Sequence, residues 1–210
     1  MSYAVKEMFY SLQGEGRHTG RPAVFCRFAG CNLWSGRERD RASAKCTFCD
    51  TDFVGTDGDG GGRFADSHSL AAAIDEMWGG GDTERFVVLT GGEPLLQVGA
   101  ELVSALHERG FEIALETNGS LAAPAEIDWI TVSPKGTTPL AQSSGNELKL
   151  VFPQVGVDPV SFEGLAFEHF LLQPRDDAER ESNTAAAIAF CLQTPRWRLS
   201  LQTHKFMGIR

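Results

Sequence analysis

Three cysteines stand in the order C-x14-C-x2-C: Cys31, Cys46 and Cys49. Three thiols are one too few to close a tetrahedral metal site. Cys26 would supply a fourth, and a zinc-stapled binding module using all four thiolates is the non-enzymatic reading. However, Cys26 falls inside Ala23-Val24-Phe25-Cys26-Arg27-Phe28, which reads as a strand. Its side chain should then point away from those of Phe25 and Arg27, into apolar packing. Cys191 lies on the apolar stripe of a helix and is expected to pack as well. The remaining three suit a 4Fe–4S cubane, which takes four ligands, so three protein thiolates leave one iron open for chemistry. Phe48, between the last two cysteines, would help keep such a cluster dry.

The elements that must position these thiols show in the apolar periodicity. Nearly continuous apolar, β-branched runs recur at Val24–Phe28, Phe86–Leu89, Ile113–Leu115, Trp129–Val132, Leu148–Val151, Phe170–Leu172 and Trp197–Leu201. Such runs suit strands buried on both faces, as in a parallel α/β sheet. Three segments carry helical periodicity: Ser67–Trp78, with Ser67 or Ser69 as N-cap, Leu95–Arg109 and Ala178–Leu192. Seven strands and three helices fall short of a closed eightfold barrel of about 250 residues. The expected fold is therefore α/β: an open, partial parallel β/α barrel of about six core strands with few full helices. A single domain spans 1–210, with a cysteine loop at 31–49. The run Gly-Thr-Asp-Gly-Asp-Gly-Gly-Gly at 55–62 reads as a flexible, Gly-rich excursion.

A polar group follows each of five apolar runs: Thr90-Gly91-Gly92-Glu93-Pro94, Glu116-Thr117-Asn118-Gly119, Ser133-Pro134-Lys135, Gln173-Pro174-Arg175 and Gln202-Thr203-His204-Lys205. Sites of α/β folds gather at the carboxyl ends of strands. The 28 acidic residues outweigh 19 basic ones, for a formal charge of −9, which argues against nucleic acid as the main partner. No run reaches the roughly 18 apolar residues of a membrane span, and the N-terminus lacks the apolar core of a secretory signal. The reading is a cytoplasmic chain that does not engage membranes, where thiols stay reduced.

Taken in order, Met8–Trp34, Cys46-Thr47-Phe48-Cys49-Asp50-Thr51, Thr90–Pro94, Glu116–Gly119, Ser133–Lys135, Leu172-Gln173-Pro174 and Leu201–Lys205 resemble the 7-carboxy-7-deazaguanine synthases of the radical S-adenosylmethionine (SAM) superfamily. The usual superfamily signature is C-x3-C-x2-C, so the first gap here is eleven residues longer. The resemblance implies a lyase that converts 6-carboxy-5,6,7,8-tetrahydropterin to 7-carboxy-7-deazaguanine with loss of ammonia, in queuosine and deazapurine biosynthesis. It implies one 4Fe–4S cluster per subunit, SAM and Mg²⁺, a homodimer, and an electron donor such as flavodoxin or its reductase. SAM would give a 5′-deoxyadenosyl radical that takes hydrogen from carbon 6 of the pterin and is then regenerated. Another small radical SAM enzyme, such as a glycyl-radical activase, is the enzymatic alternative.

The same resemblance assigns residues. Cys31, Cys46 and Cys49 would hold the cluster, and Thr51 the Mg²⁺, with Asp50 and Asp52 nearby. SAM would meet Phe48, Cys49, Asp50, Gly91, Gly92, Glu93, Ser133, Pro134, Lys135, Gln173, Pro174, Arg175 and Asp176. The pterin would meet Leu12, Gln13, Gly14, Glu15, Arg27, Thr90 and the terminal carboxylate of Arg210, with Glu116 and His204 as catalytic groups. The spacer carries Arg37, Arg39 and Arg41, read as a solvated helix face rather than a docking surface.

Overall fold

β-branched and aromatic side chains pack best on a pleated surface covered on both sides, and the apolar runs accordingly become the core strands of one sheet. The computed structural model describes residues 2–210. Its strands are β1 (Tyr3–Leu12), β2 (Pro22–Phe28), β3 (Gly62–Phe64), β4 (Phe86–Gly91), β5 (Glu112–Thr117), β6 (Trp129–Val132), β7 (Ser144–Phe152), β8 (Ala166–Pro174) and β9 (Trp197–Leu199). Their order is β3-β1-β2-β4-β5-β6-β7-β8-β9. From β2 to β9 all neighbours are parallel, while β1 runs antiparallel to both β2 and β3. The parallel set is the expected open, partial barrel.

Helices α1 (Ser67–Met77) and α2 (Ala100–His107) cover one half of the outer face, and α3 (Arg180–Gln193) covers the other. A short α4 (Thr203–Met207) follows β9. The N-cap of α1 is Asp66, not Ser67 or Ser69. Its carboxylate accepts from the Ser69 amide at 2.8 Å, and Ser69 Oγ accepts from the Asp66 amide at 3.2 Å, so two orphan donors are satisfied at once. The periodic segment Leu95–Arg109 is not one helix: a 3-10 turn at Pro94–Leu96 ends before Gly99, which caps α2.

Two strands were not legible in the pattern. In β1, Lys6 and Glu7 interrupt the apolar alternation, and the pairing with β2 shifts register between Val5 and Glu7. At that irregularity the Gly-rich run docks. The Gly58 amide donates to Lys6 O at 3.0 Å, the Met8 amide donates to Asp59 O at 2.8 Å, and Gly62 opens β3. The run is thus stitched along β1 rather than excursive, because its glycines let backbone approach backbone with no Cβ between.

Interior positions alternate along the strands. A lower layer of Ala23, Phe25, Phe86, Val88 and Ala114 packs with Phe9 and Trp129. Two residues further on, the same face presents Arg27, Thr90, Glu116 and Thr131, which line the cavity above. The even residues of β2, Val24, Cys26 and Phe28, face the helices instead.

Candidate functional site

The cavity encloses about 490 Å³ at the carboxyl ends of the strands. Its rim and its floor differ in how they are held together.

At the rim, Cys46 and Cys49 line the cavity, while Cys31 sits beside it: a Cβ on Gly92 would stand 2.9 Å from Cys31 Cβ and 2.2 Å from Gly30 O. Gly92 therefore carries no side chain because the cysteine loop lies against it. Burial pushes the Cys31 thiol up, while backbone amides of Leu33 and Trp34 favour its thiolate. A hydrogen bond from Cys46 brings Cys49 down to about 6, and the same bond together with burial raises Cys46. Among the described residues no three His, Cys, Asp or Glu side chains lie close enough to hold one metal ion. A cubane spreads its ligands more widely than a single ion does, and three free thiols with amide donors aimed at them fit a cluster. They do not fit a zinc staple. Cys26 is fully buried on the opposite face of β2, where burial drives its thiol far upward.

The spacer has a local job. Arg41, in the 3-10 turn Glu38–Ser43, donates to Thr47 O at 3.0 Å and Cys49 O at 3.1 Å, and its guanidinium lies 4.1 Å over the Trp34 ring. Arg39 is exposed as expected, whereas Arg41 braces the C-x2-C turn instead of facing water.

Phe48, Asp50, Gly91, Gly92, Ser133, Lys135, Gln173, Pro174, Arg175 and Asp176 all line the rim. Lys135 bonds Ser133 Oγ at 2.6 Å, and among the described residues it has no carboxylate partner. Lys205 of α4 bridges Asp50 at 2.9 Å and Asp176 at 2.6 Å, tying the cysteine loop to the end of β8. Besides Cys31, two of the sequence-assigned residues, Glu93 and Pro134, do not line the cavity. Glu93 is wholly buried and turned inward: its carboxylate accepts from Thr117 Oγ1 at 2.8 Å and from the amides of Asn118 at 2.8 Å and Leu95 at 2.9 Å. Burial raises its pKa, and its carboxylate ties the turn after β4 to the end of β5. Pro134 is buried too, its carbonyl accepting from Gln154 Nε2.

Thr51 lines the cavity, but its flanking carboxylates are engaged: Asp50 with Lys205, and Asp52 with Lys6 at 2.9 Å. A magnesium ion here would take Thr51, waters and oxygens of its substrate.

The floor depends on the β1–β2 connection, which passes under the open barrel. Arg21 pairs with Glu112 at the start of β5, His18 packs between Phe86 and Trp129, and the Arg17 amide donates to Glu147 at 2.8 Å. This connection delivers Gln13, Gly14 and Glu15. Gln13 Nε2 donates to Glu116 Oε1 at 3.1 Å, and Thr90 Oγ1 to Glu116 Oε2 at 3.2 Å. Gln202 Nε2 donates to Glu15 Oε1 at 2.8 Å. The Gly14 carbonyl accepts from both the amide and hydroxyl of Thr203, and a Cβ on Gly14 would meet the His204 ring at 2.2 Å. His204 is thus seated by a glycine 190 residues away in sequence.

Lys149 of β7 forms an ion pair with Glu15 and stands 3.6 Å from Glu116. Burial alone would raise Glu15, yet the Lys149 charge and the bonds from Lys149 and Gln202 hold its carboxyl down at about 2. Burial opposes the Lys149 charge, and the two glutamates override it, raising the lysine. Sequence reading missed Lys149, although a charge inside Leu148–Val151 was the available signal. Arg27 bonds Glu7 at 2.9 Å, and Glu7 also takes Arg210 at 2.6 Å. Leu12 and Arg210 complete the lining.

The Radical SAM superfamily profile matches residues 40–147. Two proteins named 7-carboxy-7-deazaguanine synthase are similar over the full length of both chains: one from Bradyrhizobium diazoefficiens at 63% identity and one from Caulobacter vibrioides at 60%. The crystal structure of QueE from Escherichia coli superposes with a TM-score of 0.73 at 29% identity, covering 97% of this chain and 95% of that one.

Proposed function

The chain belongs to the 7-carboxy-7-deazaguanine synthase family of the radical SAM superfamily, and we propose that it is the carbon–nitrogen lyase that takes 6-carboxy-5,6,7,8-tetrahydropterin to 7-carboxy-7-deazaguanine with loss of ammonia, in queuosine biosynthesis. The observation that carries this reading is one cavity with three thiols at its rim and a floor of paired carboxylates and an ammonium beneath them.

When bound, the cluster and SAM supply a 5′-deoxyadenosyl radical; the chain must hold both, aim them and exclude side reactions. Cys31, Cys46 and Cys49 would hold the cluster, three thiolates for a group that takes four ligands. Gly91 and Gly92, whose missing side chains make room for β2 and the cysteine loop, would offer SAM their backbone groups, Lys135 a charge to its carboxylate, and Ser133, Gln173, Arg175 and Asp176 would meet its ribose and adenine edges. Below, Glu15 and Glu116 accept from the amino and ring N–H groups of the pterin. Arg27 offers its guanidinium fork to the pterin carboxylate. Glu116 and His204 lie within the cavity and take the proton transfers of the ring contraction. Thr51 contributes to a Mg²⁺ site completed by the substrate. The working unit is a homodimer reduced by a flavodoxin or its reductase.

The test is turnover: reconstituted enzyme with SAM, reductant, Mg²⁺ and the carboxy-tetrahydropterin yields the deazaguanine product and ammonia. An intact cluster that cleaves SAM yet yields no deazaguanine would refute this substrate.

A further inference from the structure

A lysine in the middle of an apolar strand costs stability unless its charge is used. Lys149 sits between Leu148 and Leu150, which are buried in the opposite, helix-covered face, and its own side chain is only 6% exposed inside the barrel. An ammonium has three N–H donors. Among the described residues Lys149 hydrogen-bonds one acceptor, Glu15, and stands 3.6 Å from Glu116, which leaves donors to spare. The two carboxylates have acceptor sites to spare as well: Glu116 Oε2 receives Thr90 Oγ1 and Glu15 Oε1 receives Gln202 Nε2, each a single donor where an ionised oxygen takes two. Around one point, then, the floor presents two acceptors and one donor. One positive charge serves two negative ones, so the set suits a neutral ligand edge rich in N–H groups.

A 2-amino-4-oxopyrimidine edge carries the complementary pattern: an amino group, a ring N–H and a carbonyl. We propose that Lys149 is a specificity-determining residue, its ammonium donating to the exocyclic carbonyl of the bound ring while Glu15 and Glu116, which it holds apart, accept from the amino group and ring N–H. The assignment rests on the pterin reading given above and adds to it the residue that distinguishes a 4-oxo ring from a 4-amino one. An amino group in place of that carbonyl would turn donors toward the ammonium and leave a buried charge without its acceptor.

The test uses holoenzyme carrying its cluster and SAM, titrated calorimetrically with 6-carboxypterin and with its 2,4-diamino counterpart. Wild type should prefer the 4-oxo ring by about 10- to 100-fold, the range for a hydrogen bond to a charged group. The double variant Lys149→Met/Glu15→Gln removes the closely bonded pair together and leaves only Glu116, a quarter exposed and still bonded by Gln13 and Thr90, without the lysine's charge. In it the preference should fall to about threefold or less, with cluster absorbance and SAM binding unchanged. Lys149→Arg, which keeps a charged donor, should retain a measurable share of the preference. A double variant that keeps the full preference overturns the role of Lys149, as does wild type that favours the 4-amino ring. Wild type that binds neither ligand instead overturns the pterin reading, and this assignment with it.

Discussion

The rim and the floor of the cavity are stabilised in opposite ways. At the rim, partners are close in the chain: Arg41 reaches Thr47 and Cys49, Glu93 caps Leu95, and Lys135 bonds Ser133. Its long-range ion bridges, Lys205 to Asp50 and Asp176 and Lys6 to Asp52, are partly open to water, where such pairs contribute little. At the floor, Glu15 meets Lys149 across 134 residues and Gln202 across 187, all with little access to solvent. Buried pairs add little net stability, but breaking one strands a charge. The rim can therefore vary in length, as its expanded first gap does, provided the sulfurs arrive. The floor tolerates no such freedom.

Single substitutions should separate the two regions, and the largest effect belongs to the rim's chemistry. Cys46→Ala should abolish the cluster, measured as iron content and absorbance after anaerobic reconstitution. Cys26→Ala should leave both intact, and equal loss from the two variants would contradict the three-thiol assignment. Next, Lys149→Met should destabilise the fold by about 3–5 kcal/mol in denaturant titration, since two carboxylates lose their cation. The corresponding cost of Lys205→Met at the rim should stay within about 1 kcal/mol.

Glycine replacements give a third contrast. A Cβ on Gly92 meets the Gly30 backbone carbonyl, whereas one on Gly14 meets the His204 side chain, its ring at 2.2 Å and its Cβ at 2.8 Å, so the short α4 must shift. Gly92→Ala should cost about 1–3 kcal/mol of stability, while Gly14→Ala should act mainly by displacing His204, seen as lost turnover with a near-normal melting temperature. The acid limb is fourth. Glu15 is depressed to about 2 in the fold against an ordinary 4.5, with Lys149, Gln202 and His204 facing it. Its contribution is complete above about pH 4.5 and drains as pH falls toward 2. Glu15→Gln should flatten that part of the stability–pH curve, and an unchanged slope would remove Glu15 from the charge network. The smallest effect is Arg41→Ala, worth about 1 kcal/mol and visible mainly as faster loss of iron to a chelator.

Much of the rim was legible because its signals are local. C-x2-C, Thr90-Gly91-Gly92-Glu93-Pro94 and Ser133-Pro134-Lys135 each declare a turn and a chemistry within a few residues. The same signals do not separate Glu93 and Pro134, which the fold buries, from the neighbours that line the cavity: a motif shows which residues belong to a turn, not which of them faces the cavity. The burial of Glu93 under Thr117 and Asn118 is a pairing between β4 and β5 loops that no local pattern contains. At the floor, Gln13, Glu15, Arg27, Glu116 and His204 were found as candidates, while Lys149 was passed over inside an apolar run. β1 and the docking of 55–62 were missed for a related reason, since an antiparallel strand whose Lys6 and Glu7 sit at a register shift carries neither a continuous apolar run nor clean alternation.

By itself, the sequence determined the parallel core strands, the sparse helices, the three thiols and the strand-end groups, because periodicity and ligand chemistry are properties of short segments. Tertiary structure alone decided which carboxylate meets which cation, that Gly14 makes room for His204, and that the β1–β2 connection closes the barrel from below. Most of those relations join residues about 70 to 190 positions apart, and only the register and curvature of the assembled sheet bring them into contact.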